Sequence, residues 1–290
     1  MLLIGNGCVI TRDPDNPIIE KGAVAIASDR IAEVGGFTAL RRKYPKARLI
    51  DAHGGLIMPG LINTHMHFYS TFARGMMLSS VPPASFGEIL ERLWWRLDKV
   101  LTLQDVYYSA MVPILDCIKC GVTTVFDHHA SPHCAEGSLS RIAEATTAAG
   151  LRACLCYEVS ARDGEEIAAA GIRENAAFIR RCGQDSNPLL RSLFGLHASL
   201  TLSDRTLERC AAVNPESGYH IHAAEGVEDV EDARSKYGMG VVERLHARGI
   251  LGEETIASTR PVSRSITTTA PRKPAIERCK PSCRSILMVV

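Results

Sequence analysis

Apolar and polar positions change period along this chain, and each change marks a boundary. Over the first 55 residues the apolar runs are short: LLIGNGCVIT, then GAVAIASDRIAEVG, which reads as strand, Ser28-Asp29 turn, strand. The run LIMPGLINTHMHF follows, bent at its entry by Pro59-Gly60 and ending on His65 and His67. The period then becomes helical. Val106, Ala110, Met111, Ile114, Leu115 and Ile118 form one stripe over residues 105–120, closed by Gly121. VTTVFD predicts a β-branched strand, 138–149 a helix ending at Gly150, and LRACLCYEV the next strand. Residues 164–182 predict a helix and LRSLFGLHAS a strand; Ser203 caps a helix over SDRTLERCAAV. YHIHAAE is a further strand, 227–248 reads as one helix before Gly249, and ETIAS begins another strand.

Strands and helices that alternate with short connections specify a parallel α/β fold. Five βα units and the start of a sixth strand fit either a doubly wound sheet or a barrel. The polar residues favour the barrel, because they fall where strands end. His65 and His67 end the first, Asp127 and His128 the second, His197 the fourth, His222 and Glu225 the fifth. In a barrel those carboxyl ends converge on one face.

The spacing of the histidines points to a metal. In His65-Met66-His67 both imidazoles leave one side of a strand, about 6.6 Å apart at the backbone, close enough to share one ion. His220-Ile221-His222 repeats that spacing, and Glu225 lies three residues beyond His222. A third imidazole leaves room for solvent, and a divalent ion makes water acidic enough to act as a nucleophile near pH 7. A carboxylate can carry the proton to a leaving amine, and an imidazole can stabilise developing charge; Glu225 and His197 suit these roles. His129, His133 and His246 receive none.

Composition narrows the field. The 290 residues are 46% hydrophobic and 22% charged, as in soluble globular chains. Lys+Arg 33 against Asp+Glu 32 gives no global attraction to nucleic acid or to an anionic membrane. No apolar run is long enough to span a bilayer, and the N-terminus has no secretory pattern. Most of the ten cysteines read as small buried hydrophobes of a reducing cytosol, and Cys117–Cys120, a lone CxxC, is a weak signal for a zinc site. From residue 259 the character shifts: seven Lys/Arg stand against one acid, Glu277, and none of the 23 glycines lies there.

These motifs resemble a known family. MPGLINTHMH is similar to the first-strand signature of the metal-dependent amidohydrolase superfamily, PG-x-x-(N/D)-x-H-x-H. GVTTVFD resembles its second-strand motif and HIHAAE its fifth-strand H-x-x-E. Within that superfamily the chain looks like the cytosine deaminase, guanine deaminase and chlorohydrolase branch. The SsnA-like aminohydrolases are the nearest, through HFYSTFARGM, RLWWRLDKVLTLQDVYYSA, DHHASP and GLHASLTLS.

The resemblance implies an α/β fold: a (β/α)8 TIM barrel of the amidohydrolase type, with a small N-terminal β-sandwich portion. Residues 1–56 would form that portion and 57–257 a partial barrel of five to six βα units. Residues 258–290 would be an aberrant, disordered basic tail. The resemblance makes His65, His67 and His222 ligands of one divalent metal ion, zinc or else iron, Glu225 the proton shuttle and His197 a substrate-contacting histidine. His220 matches no ligand position. SLFGLHASLTLS has no lysine for a second metal. The implied activity is hydrolysis of a non-peptide carbon–nitrogen bond in a small nitrogen heterocycle, in the cytoplasm. Neither nucleic acid nor membrane would be a partner, and family analogy points to a homodimer.

The pattern fails at one place. Thr259 stands where the family's sixth-strand histidine would be, and neither the later aspartate nor strands seven and eight follow. The basic tail reads like translation in a shifted frame, so a second expectation is a truncated, poorly stable fragment with no activity of its own. A basic-tailed nucleic-acid binder is the third reading, and the tail has no aromatic residue on which a base could stack.

Overall fold

A computed structural model describes residues 1–77, 81–214, 217–259 and 286–289, the last four by backbone alone. The chain forms two units, one of residues 1–61 with the strand Ile286–Val289 and one beginning at Ile62.

The first unit is built on β1 (Leu2–Ile10), β2 (Ile18–Ala27), β3 (Arg30–Gly36), helix α1 (Phe37–Lys43), β4 (Arg48–Asp51) and β5 (Leu56–Pro59). β1 and β2 pair antiparallel, as do β2 and β3. The free edge of β1 is shared: Leu2–Gly5 pairs parallel with β4, and Cys8–Val9 with β5. Asn6, at φ 58°, and register shifts around Gly7 kink β1 between the two pairings. Leu3 and Ile4 point to opposite faces, and both are buried. One face packs on Leu40 of α1 and the other on Ile57. The sequence predicts no helix here; α1 is short, and one buried leucine is its apolar anchor.

The strand Ile286–Val289 runs parallel to β5, where the sequence pattern assigns none. The rest of the expected disordered tail, residues 260–285 and 290, lies outside the described residues.

In the second unit β6 (Leu61–Met66) leads into a 3-10 turn, Phe68–Ala73. A helical stretch follows, α2 (Phe86–Ile89) and α3 (Trp95–Val100) joined by a π turn over Leu90–Trp94. The βα alternation then begins: α4 (Leu103–Lys119), β7 (Val122–His129), α5 (Ser138–Ala149), β8 (Arg152–Tyr157), α6 (Glu165–Gln184), β9 (Leu190–Ser192), β10 (Phe194–Ala198), α7 (Asp204–Val213), β11 (Tyr219–His222), α8 (Val227–Tyr237), α9 (Val241–Ala247) and β12 (Ile256–Ser258). The expected helix over 227–248 is two helices, because Gly238 takes φ 69° and ends the first in a left-handed cap. Ser203 caps α7 by accepting from Thr206 N–H, as its position predicts.

The strands form two sheets, β6-β7-β8-β9 and β10-β11-β12, in which β7, β8 and β9 run parallel, as do β10, β11 and β12. A parallel bridge between Val159 and Leu196 joins them. At this seam Asn175 of α6, fully buried, adds side-chain bonds to the few backbone ones, Val159 N–H to the Gly195 carbonyl and His197 N–H to the Val159 carbonyl among them. Its Oδ1 accepts from the N–H of Tyr157 (2.9 Å) and Gly195 (3.1 Å), and its Nδ2 donates to the Tyr157 carbonyl (2.7 Å). Gly195 is required here, since a Cβ would overlap the backbone of Tyr157. The walls therefore follow chain order, as the barrel expectation requires. One core packs α4 and α5 on β7 and β8; another packs α6, α7 and α9 on β10 and β11.

Candidate metal centre

The carboxyl ends of β6, β7, β8, β10 and β11 bring together six histidines and one glutamate. Alternation along β6 gives His65 and His67 to one side, and β11 does the same for His220 and His222. His65, His67 and His222, the ligands that the resemblance implies, each offer a ligand atom within 4.8 Å of the others.

Hydrogen bonds to the backbone fix which ring nitrogens carry protons. His67 Nδ1 lies 2.6 Å from the His128 carbonyl, and His222 Nδ1 lies 3.0 Å from the His197 carbonyl. A carbonyl can only accept, so each Nδ1 is an N–H and each Nε2 a bare lone pair. Those two Nε2 atoms face each other at 3.1 Å. Two lone pairs at that distance repel unless a cation lies between them, so the donor set fits a divalent metal ion. Burial lowers the imidazoles toward the neutral form: His65 to about 3, helped by the neighbouring His67 and His128, and His67 to about 4. His222 also falls well below its usual range through burial and the nearby His128. Neutral imidazole is the form that binds metal.

Glu158, just past β8, was missed by the sequence reading. It is fully buried, with Oε2 3.1 Å from His128 Nδ1 and Oε1 3.4 Å from His197 Nε2 and 3.6 Å from Arg162 Nη1. Burial works to raise its pKa, but His197, His128 and His222 outweigh it and hold the carboxyl well below the usual range. The available signal was an acid closing an otherwise apolar strand. His128 also groups with His67 and Glu158 at ligand distances. Its two nitrogens, however, face Glu158 and the His220 carbonyl (3.1 Å), so it turns no lone pair toward the pocket.

His197 is buried on β10, its Nδ1 2.7 Å from Thr201 Oγ1 and its ring 5.8 Å from that of His222. Burial lowers it to about 4 against the opposing pull of Glu158. Glu225 is half-buried at the rim of the same cavity as the three ligand candidates. The buried Asp229 sets that loop, accepting from Ala224 N–H (2.9 Å) and Leu200 N–H (2.8 Å), while Ala224 takes φ 53°. The cavity holds about 350 Å³ and is walled by Tyr69, Phe86, Trp94 and Trp95. The π turn before Trp95 places the two adjacent tryptophans on its lining. His129 is buried against Ser131, away from the cavity lining. Among the described residues no helix is long and apolar enough to cross a membrane.

Comparison with known proteins shows what the chain as a whole is similar to. The model of the amidohydrolase family matches residues 56–273, and an imidazolonepropionase-like composite domain of bacteria matches 22–47. The chain is 30% identical to a 5'-deoxyadenosine deaminase of Methanosarcina mazei over 259 residues, 89% of this chain and 56% of that protein. It is 33% identical to a 5-methylthioadenosine/S-adenosylhomocysteine deaminase of Syntrophobacter fumaroxidans, over 88% and 56% of the two chains. An adenosine deaminase of Xanthomonas campestris with bound zinc superposes with TM-score 0.77 at 22% identity, covering 88% of this chain and 56% of that one. Guanine deaminase of E. coli superposes with TM-score 0.73 at 17% identity, over 91% and 63%. These likenesses establish the fold, and the chain spans about 56% of the length of the curated relatives it matches.

Proposed function

The chain belongs to the amidohydrolase family, and from that premise we propose that residues 57–257 carry the metal-binding half of an aminohydrolase that releases ammonia from a nitrogen heterocycle. The observation that carries this reading is the pair of bare Nε2 atoms on His67 and His222, 3.1 Å apart beside His65. His65, His67 and His222 would hold the ion, for which we propose zinc, the metal bound in the Xanthomonas campestris structure. When bound there, zinc supplies a Lewis acid that brings the acidity of water near pH 7.

The remaining roles fall to the chain's own groups. Glu225, at the cavity rim, holds the proton taken from water and delivers it to the departing amine. His197 stands beside Glu158 and turns an imidazole toward the cavity, where it steadies charge growing on the ring nitrogen of the substrate. Tyr69, Trp94 and Trp95 offer flat apolar walls that suit a planar heterocycle. The named relatives act on adenosine-type compounds, so an aminopurine nucleoside is the first substrate class to try.

The test is ammonia release by the zinc-loaded chain from a panel of aminopurine nucleosides and free bases. Release that depends on zinc and disappears in Glu225→Gln supports the proposal. Stoichiometric zinc without ammonia from any member of the panel overturns the catalytic reading in favour of a non-catalytic metal-binding fragment.

A further inference from the structure

The three ligand candidates differ in what orients them. His67 and His222 each lean on a backbone carbonyl, but His65 Nδ1 meets another imidazole, Nε2 of His220, at 2.8 Å. Which of the two nitrogens carries the hydrogen decides whether His65 can serve a metal. If Nδ1 of His65 donates, its Nε2 is a free lone pair; if it accepts, Nε2 is protonated and cannot ligate.

A thiol settles the direction. Cys156 Sγ lies 3.5 Å from the carbonyl of Asp127, the nearer of its two partners and one that can only accept, and we assign its single hydrogen there. The sulfur also lies 3.7 Å from His220 Nδ1, where, with its hydrogen committed, it can only accept. His220 therefore carries its hydrogen on Nδ1 and presents a lone pair at Nε2. The relay runs from His65 Nδ1–H to His220 Nε2, and from His220 Nδ1–H to Cys156. Both His220 and Cys156 are 1% exposed, so solvent does not compete for these bonds. The His220 carbonyl accepts from His128 Nε2 at 3.1 Å, which holds this part of β11 in place.

We propose that His220 is a positioning residue that fixes the tautomer of His65 and so turns His65 Nε2 to the metal. This rests on the reading of His65, His67 and His222 as ligands. His220 and His222 alternate with Ile221 on one strand, so one short motif supplies a ligand and the partner that orients another.

The tests use the full chain. Zinc affinity is measured by competition with a chromogenic chelator, and the zinc-free proteins are compared by thermal melting. His220→Leu removes the acceptor and should weaken zinc about 10–100-fold, whereas His220→Gln, whose side-chain oxygen can accept from His65, should stay within about threefold of the wild type. Equal loss in both variants, or none in His220→Leu, overturns the proposal. Nitrogen-15 spectra of the zinc-free wild type give a reading without any variant: Nδ1 of His65 protonated and Nε2 bare supports it, and the reverse overturns it. A wild type that takes up no zinc overturns the ligand reading itself, and this inference with it.

Discussion

His67 Nε2 and His222 Nε2 lie 3.1 Å apart with no hydrogen between them, because each ring gives its only N–H to a carbonyl on another strand. A cation bound between the two lone pairs would turn that repulsion into attraction. Zinc at a hundredfold excess over Kd should stabilise the fold by about 2.7 kcal/mol, and a chelator should reverse it. His222→Ala removes one of the facing lone pairs, and its Tm should no longer respond to zinc. An unchanged zinc response in that variant would remove His222 from the site.

Asn175 makes the second prediction. It ties β8 to β10 where the two sheets meet. Asn175→Leu is close in size but leaves the N–H groups of Tyr157 and Gly195 buried and unpaired, at about 1–3 kcal/mol each. A loss of about 2–6 kcal/mol is expected in urea unfolding. The same seam carries Glu158 and His197, so zinc-dependent activity should fall with stability.

Much of this barrel was legible because its pattern is local. The helices over 105–120, 138–149 and 164–182 and the strands between them follow from period and from Gly121 and Gly150, which take φ 73° and 71°. The i, i+2 spacing on a strand made His65 and His67 legible for the same reason, and it was the likeness of HIHAAE to a family motif that singled out His222 over His220. Glu158 was not legible. Its meaning comes from His128, His197 and Arg162, which only the fold brings to it. His220 has the spacing of a ligand and a different placement, 2.8 Å behind His65, which no linear pattern encodes. The aromatic walls were equally hidden, because a π turn rather than a regular helix presents Trp94 and Trp95. The break at Gly238 was readable in principle, as Gly238-Met239-Gly240 interrupts the helical stripe.

The role proposed for Glu225 can be tested apart from metal binding. Glu225 lines the cavity, and among the described residues none of the histidine groupings that could hold a metal includes it. Glu225→Gln keeps the shape and removes the base, so ammonia release should fall about 10²–10⁴-fold. Zinc content and Tm should match the wild type. A parallel loss of zinc would make Glu225 a ligand instead of a shuttle.

Asp127 supplies a pH dependence whose sign can be worked out. It is fully buried at the end of β7, where Oδ1 accepts from Phe68 N–H at 2.6 Å and Oδ2 has no partner among the described residues. Burial, only partly offset by the Phe68 N–H, pushes its carboxyl up to about 8 from 3.8. A raised acid binds a proton in the fold that the unfolded chain releases. Its contribution to stability is therefore complete below pH 3.8 and is lost as pH rises through about 8. Between those limits it should lower stability by up to about 1.4 kcal/mol per pH unit. Asp127→Asn cannot ionise but can still accept from Phe68 N–H. The difference in unfolding free energy between wild type and Asp127→Asn, measured without zinc, should shift in favour of the variant as pH rises from about 5 to 8. A difference that stays flat over that range would mean Asp127 is ionised in the fold, with a counter-charge reaching Oδ2.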